Sequence, residues 1–352
     1  MLIVEKDTNT VFVIGAGASE EAKLPTGNEL KKRIAQLLDI DFEPFRQVRG
    51  DQFIVSALRL LVGQSGGSDG DIQLYLKEAW HIRDALPQAI SIDNFIDTHR
   101  DNDKIAICGK LAIVRSILMA EKKSLLYFEK THRDSNINFN ALIKTWYTPF
   151  FQLLTENCGK SDLKERLKSI TLIIFNYDRC VEHFIYCSLQ NYYRISGDEA
   201  GELIKSINIY HPYGIVGSLP WVNNSGPMEF GAELNSAQLL ELAHKIKTFA
   251  EGTDPDSSDI LKIRRHMSLA NRLVFLGFAF HKLNMQLILP ERSEAVRNIE
   301  VKCFATTKDI SDSDKEVIEE QIDDLYPGRI RVKMTNRSCS EFFTEFWRSL
   351  AF

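Results

Sequence analysis

Long apolar runs are missing from this sequence. Nothing in it approaches the ~20 consecutive apolar residues of a membrane-spanning helix, so neither a span nor a membrane partner is expected. Cysteine is scarce, with 6 in 352 residues, and no CxxC pair occurs. Ribbon-type zinc sites are built on such pairs, so no metal is expected. The widely spaced thiols, at 108, 158, 180, 187, 303 and 339, do not read as a disulfide framework. Reduced thiols point to a cytoplasmic protein. An excess of positive charge is absent as well: 43 Lys and Arg stand against 48 Asp and Glu, a formal charge of −5. Direct nucleic-acid binding needs a basic face and is therefore not expected. Residues 1–7 carry Glu5 and Asp7 where a signal peptide needs a basic start and a long apolar stretch. What is present is ordinary globular composition, 44% hydrophobic and 26% charged, at a length that suits one large domain or one and a half.

The first regular element is the β-branched run Val11-Phe12-Val13-Ile14, which reads as a buried strand ending at Gly15. Thr26 and Glu29 have capping-box spacing, so a helix is expected from there to about Leu38. From 41 to 166 the texture is helical, at 71–86, 103–128 and 138–154, with no strand and a flexible link at 63–70. The 103–128 stretch carries Ile107, Leu111, Val114, Leu118 and Leu125 on one face. It also has Ile105, Cys108, Ile113, Ile117 and Met119, so most of these are expected in the insertion's own core, with the sheet domain or another chain covering the surplus. Strands return at 171–175, 207–210, 273–276, 299–304 and 330–334, with helices such as 236–249 and 313–325 between them. Alternation of this kind predicts an α/β fold: a Rossmann-like, doubly wound, mostly parallel sheet with a large helical insertion. The expected division is 1–40 with 167–352 as the sheet domain and 41–166 as the insertion.

Four motifs sit at strand ends, where open parallel sheets bind ligands. Gly15-Ala16-Gly17-Ala18-Ser19 follows the first strand, and glycines there allow a pyrophosphate to approach the backbone. Glu20 stands where a full GxGxxG would have its third glycine, so the loop reads equally as a tight turn. Asn176-Tyr177-Asp178 follows the second strand; an amide there needs a hydrogen-bond partner, and Asp178 suits a helix cap. His211 follows the next strand in His211-Pro212-Tyr213-Gly214 and offers a base that titrates near neutrality. Gly277-Phe278-Ala279-Phe280 ends the fourth, and core packing is expected of at least one of its phenylalanines.

In this order the motifs, with Leu24-Pro25-Thr26 after the first, resemble the sirtuin-like NAD-binding domain. They are most similar to its divergent bacterial branch of antiphage-defence effectors. Ser91-Ile92-Asp93-Asn94-Phe95 is similar to a segment of the same branch. The resemblance covers about residues 10–40 and 167–310. It implies NAD as substrate, with no metal. Gly15, Ala16, Gly17, Ala18 and Ser19 would wrap the pyrophosphate. Asn176 would act at the nicotinamide ribose or its water, and His211 as the base. Gly277 and Phe278 would meet the adenosine half, while Pro25, Thr26, Asp93, Asp178 and Asn284 complete the implied set. Two departures stand out: His-Pro-Tyr-Gly replaces the family's His-Gly step, and the four-cysteine zinc module of deacylases is missing.

The resemblance implies an NAD hydrolase that yields nicotinamide and ADP-ribose, as a regulated antiphage effector depleting NAD. The alternatives are a non-catalytic NAD or ADP-ribose sensor and, further off, a protein deacylase or ADP-ribosyltransferase. Control would come from a homo-oligomer or a separate defence partner, such as a HerA-like ATPase or an Argonaute-type protein. The segment 211–231, rich in Gly, Pro and Asn, is expected to close over NAD.

Overall fold

The computed structural model describes residues 9–43, 46–130, 135–222, 227–248, 251, 258–290 and 300–352. Six strands form one sheet: β1 (Thr10–Ile14), β4 (Ile170–Ile174), β5 (Asn208–Tyr210), β6 (Arg272–Leu276), β7 (Val301–Thr306) and β8 (Ile330–Thr335). Their order is β5-β4-β1-β6-β7-β8 and every pairing is parallel. β1, β4 and β6 are buried along their whole length, as their continuous apolar runs require of central strands. β8, at the edge, alternates half-buried with exposed residues. The sheet therefore matches the expected α/β Rossmann-like class, and its strands fall on the predicted runs. Position 299 lies outside the described residues, and β7 begins at Val301.

Strand alternation sends side chains to two separate cores. Val11, Val13, Ile173 and Phe275 face one core, and Phe12, Ile14, Leu172 and Val274 face the other. Segment 41–166 is divided between them. Helices Gln52–Gln64, Ile72–Ala85 and Asp103–Lys123 pack on the first face, while Tyr147–Thr155 and Leu163–Lys168 pack on the second. Ile105, Ile107, Cys108, Ile113 and Ile117 of the long helix are all buried within this chain. Helices Gly27–Leu38, Ile72–Ala85 and Ser236–Lys245 are its main cover.

Two expectations need correction. A two-stranded antiparallel hairpin, β2 (Asp41–Glu43) and β3 (Arg46–Arg49), lies inside the region read as free of strands. Its strands are short, charged and largely exposed, so they carry no apolar alternation to detect. Arg49 holds it by pairing with Asp39 at 3.2 Å and Asp41 at 2.7 Å. The helix expected from 138 starts only at Tyr147, after a short turn at Phe139–Leu142. Pro149 explains the delay, since its ring excludes a helical carbonyl four residues earlier and suits only a first turn.

Candidate functional site

The chain runs outward from β1 through β4 to β5, then returns to the other flank of β1 as β6 and continues to β7 and β8. The direction reverses between β1 and β6, where doubly wound sheets bind ligands beyond their carboxyl ends. A cleft of about 700 Å³ opens there. It reaches from Asn176, past β4, to Arg337, past β8. That is four strand spacings, or ~19 Å at ~4.8 Å each.

The floor is made by two glycine loops locked together. The Gly15 N–H donates to Leu276 O at 2.9 Å, and the Gly17 N–H donates to Gly277 O at 3.0 Å. A Cβ on Gly15 would lie 2.4 Å from Gly277 O, and one on Gly277 would lie 2.0 Å from Ala18 N. Gly277 also has φ +54°, in the left-handed region. The glycines thus serve the approach of one loop to the other, and two N–H groups expected at a pyrophosphate are engaged by the protein itself. Phe278 lines the cleft, and its ring packs on Phe175 and Phe280 at 5.0 and 5.2 Å. Both Phe278 and Phe280 are core residues, 4% exposed.

Asn176 joins these loops to the turn after β4. Its Nδ2 donates to Gly15 O at 3.1 Å and to Ser19 Oγ at 3.0 Å. Because a backbone carbonyl only accepts, Gly15 O fixes which end of the amide is the nitrogen. Ser19 Oγ donates to Asp178 Oδ2 at 2.9 Å, and Asp178 Oδ1 caps Cys180 N at 3.1 Å. Burial pushes the Asp178 carboxyl up, with the Cys180 and Ser19 bonds pulling against it. Asn176 is 6% exposed, yet its Oδ1 has no partner among the described residues. Ala18, Ser19 and Asp178 are buried behind the lining, and Pro25 also stays out of it, while Thr26 is part of it.

His211 does not line the cleft. Its Nε2 is 2.5 Å from Glu182 Oε1, and its Nδ1 is 3.3 Å from the main-chain carbonyl of Asn176. Burial alone would push its pKa down, but the Glu182 carboxylate and the Asn176 carbonyl outweigh burial and raise it. β5 ends at Tyr210, so strand alternation no longer fixes which way His211 faces; Glu182, on helix Cys180–Tyr193, draws the ring behind the Asn176 turn. Tyr213 lines the cleft instead. Its hydroxyl donates to Asn284 Oδ1 at 2.5 Å, and burial pushes its pKa far up.

Asp93 also lines the cleft and accepts from the Tyr177 hydroxyl. Burial raises its pKa, and that bond opposes the rise. One turn on, Asp97 brings an Oδ1 that is buried and without a partner among the described residues. Lys308 and Arg337 carry positive charge to the far end, after β7 and β8, with Lys308 3.7 Å from Glu20. Sequence reasoning missed Asp97, His281, Lys308 and Arg337 as lining residues. The last two follow predicted strands, so the rule that selected Asn176 also reaches them.

Of the described residues in 211–231, Tyr213 lines the cleft and the others do not. Gly217, Met228 and Glu229 are held by Arg179, whose guanidinium donates to their carbonyl oxygens at 3.3, 2.9 and 3.1 Å. Glu121 pairs with Arg179 at 2.5 Å and accepts from Gly231 N at 3.0 Å; both charged side chains are 0% exposed. Among the described residues no cluster of His, Cys, Asp or Glu converges on a metal-sized site, and no helix is long and apolar enough to cross a membrane. No protein-family model matches the chain, and no curated protein matches it.

Proposed function

We propose that the cleft binds NAD and cleaves its nicotinamide–ribose bond, releasing nicotinamide and ADP-ribose. The observation that carries this reading is Asn176, a residue of the cleft lining whose Oδ1 is buried with no partner among the described residues. Buried polar atoms of this kind call for a ligand, a water or a catalytic role. Strand order, the position of the cleft at the reversal, its length and the cations at its far end support an extended dinucleotide with its phosphates toward Lys308 and Arg337. The nicotinamide ribose then lies over β1 and β4. The nicotinamide ring leaves with the electrons of the C–N bond, so the barrier lies in the cationic ribose that remains. Asn176 Oδ1 accepts from a ribose hydroxyl or from the water that adds to C1′, and holds that partner in line. The proton released by the water goes to solvent.

One observation favours a second reading, a sensor that binds NAD or ADP-ribose without cleaving it. The expected base, His211, is outside the cleft with both ring nitrogens engaged. Incubation with NAD, followed by chromatography and calorimetry, separates the two. Nicotinamide appearing in stoichiometric excess over protein supports cleavage; tight binding with intact NAD recovered supports the sensor; no binding removes both. An NAD-depleting effector needs control, and we assign that to self-assembly or a separate partner protein. Light scattering with activity across a dilution series tests it: a monomer with concentration-independent turnover and no need of a partner would overturn it.

A further inference from the structure

We propose that His211 is a positioning residue: a doubly protonated imidazolium that clamps the Asn176 main chain to Glu182 and so aims the Asn176 amide. The kinetic part of this rests on the NAD-cleaving reading, and the structural part does not.

The protonation state follows from the partners. A backbone carbonyl accepts and cannot donate, so the Nδ1 that faces Asn176 O carries hydrogen. With Glu182 ionised, as the clamp requires, its Oε1 likewise only accepts, and the Nε2 facing it carries hydrogen too. A ring that makes both bonds is an imidazolium and has no lone pair with which to take a proton. The side chains are 10% and 8% exposed, so each charge needs the other. The second Glu182 oxygen, Oε2, is buried without a partner among the described residues, which leaves His211 as the compensation for that carboxylate. The charged groups facing the ring are Glu182, from helix Cys180–Tyr193, and Asp178, from the turn after β4; both favour the cation. Its pKa is accordingly raised despite burial.

The effect on Asn176 is a three-point fixation. His211 holds its carbonyl, and Gly15 O and Ser19 Oγ hold its Nδ2. With those fixed, the remaining Oδ1 has one direction left. Losing the clamp lets the turn shift, and misplacement by ~1 Å costs ~100-fold in rate.

A base and a clamp predict opposite pH dependence. A base works deprotonated, so turnover would rise with pH through the histidine pKa. A clamp works protonated, so kcat falls as pH rises through it, with KM little changed. The ring itself is read by nitrogen-15 NMR of histidine-labelled apo protein at pH 7.5, which needs no substrate and no variant. Two protonated ring nitrogens on the His211 signal are expected, with the signal assigned by its loss in His211→Gln. In Glu182→Gln, which keeps an acceptor but removes the charge, the ring should turn neutral at this pH and kcat should fall up to ~100-fold, partly restored at pH 6. A neutral wild-type ring at pH 7.5, or a kcat that rises through the His211 titration, overturns the clamp. Absence of NAD cleavage at every pH would end the catalytic reading, and the nitrogen spectrum would then decide the clamp alone.

Discussion

A buried amide with one free oxygen is costly to a fold, and Asn176 is therefore where activity and stability can be told apart. Asn176→Ala should lower turnover on the order of 10²-fold or more while NAD still binds, because in the proposed pose most binding contacts lie along the phosphates and adenosine. Calorimetry and product chromatography on the same preparation check this; lost binding with unchanged turnover per bound NAD would make Asn176 a binding residue only. The neighbouring Ser19→Ala should destabilise by ~1–3 kcal/mol in urea titrations, since it strips Asn176 and the buried Asp178 carboxylate of a partner. The His211–Glu182 pair has a pH signature as well. The His211 pKa is raised on folding, so its contribution is fully present below the unfolded value near 6.5 and is lost as pH rises through the folded value. The unfolding midpoint of wild type relative to His211→Gln should therefore fall with pH above neutrality. Asn176 is legible in the sequence because an amide directly after an apolar strand needs a partner. The side to which His211 turns is not, because it is decided by Glu182 on a different element, beyond the last residue of β5.

At the scale of elements, the two glycine loops carry the strictest demands. Gly277→Ala meets both a left-handed backbone and Ala18 N at 2.0 Å, so it should cost roughly 1–3 kcal/mol or more and displace the cleft floor. Gly63→Ala is the contrast: it sits near the end of helix Gln52–Gln64 with nothing within 4 Å, and should stabilise by up to ~1 kcal/mol. Urea midpoints of the two variants check both signs. All six strands of the sheet could be read from sequence: β1, β4 and β6 are buried and nearly pure apolar runs, while β8 keeps Ile330, Val332 and Met334 between exposed charged residues. The β2–β3 hairpin could not, because its strands are short, charged and largely exposed and carry no apolar alternation. The interlock of Gly15 with Gly277 was likewise invisible: their contact spans two strand ends, and each glycine alone looks like a ligand loop.

For the molecule as a whole, Arg179 and Glu121 tie the turn after β4, the long helix and the 217–231 connection into one unit. Removing one charge should be far worse than removing both. Glu121→Gln or Arg179→Met should each cost about 3–5 kcal/mol, while the paired replacement by apolar residues should recover much of that, as urea denaturation of the three variants would show. The apolar surplus of the long helix is covered by its own chain, so it gives no independent reason to expect a second copy.

β1 sits inside the sheet although it precedes the other described strands in the chain, and its two neighbours come from residues 170–174 and 272–276. On a ribosome β1 must therefore wait, first for β4 and then for β6. About a hundred residues separate β4 from β6, a delay of ~5–20 s at ~5–20 residues per second. The site inherits that delay, because its floor needs Gly15 and Gly277 together. A nascent chain that stops before β6 has Asn176 but not the Gly15–Gly277 floor, so the proposed NAD binding cannot begin before that strand is made.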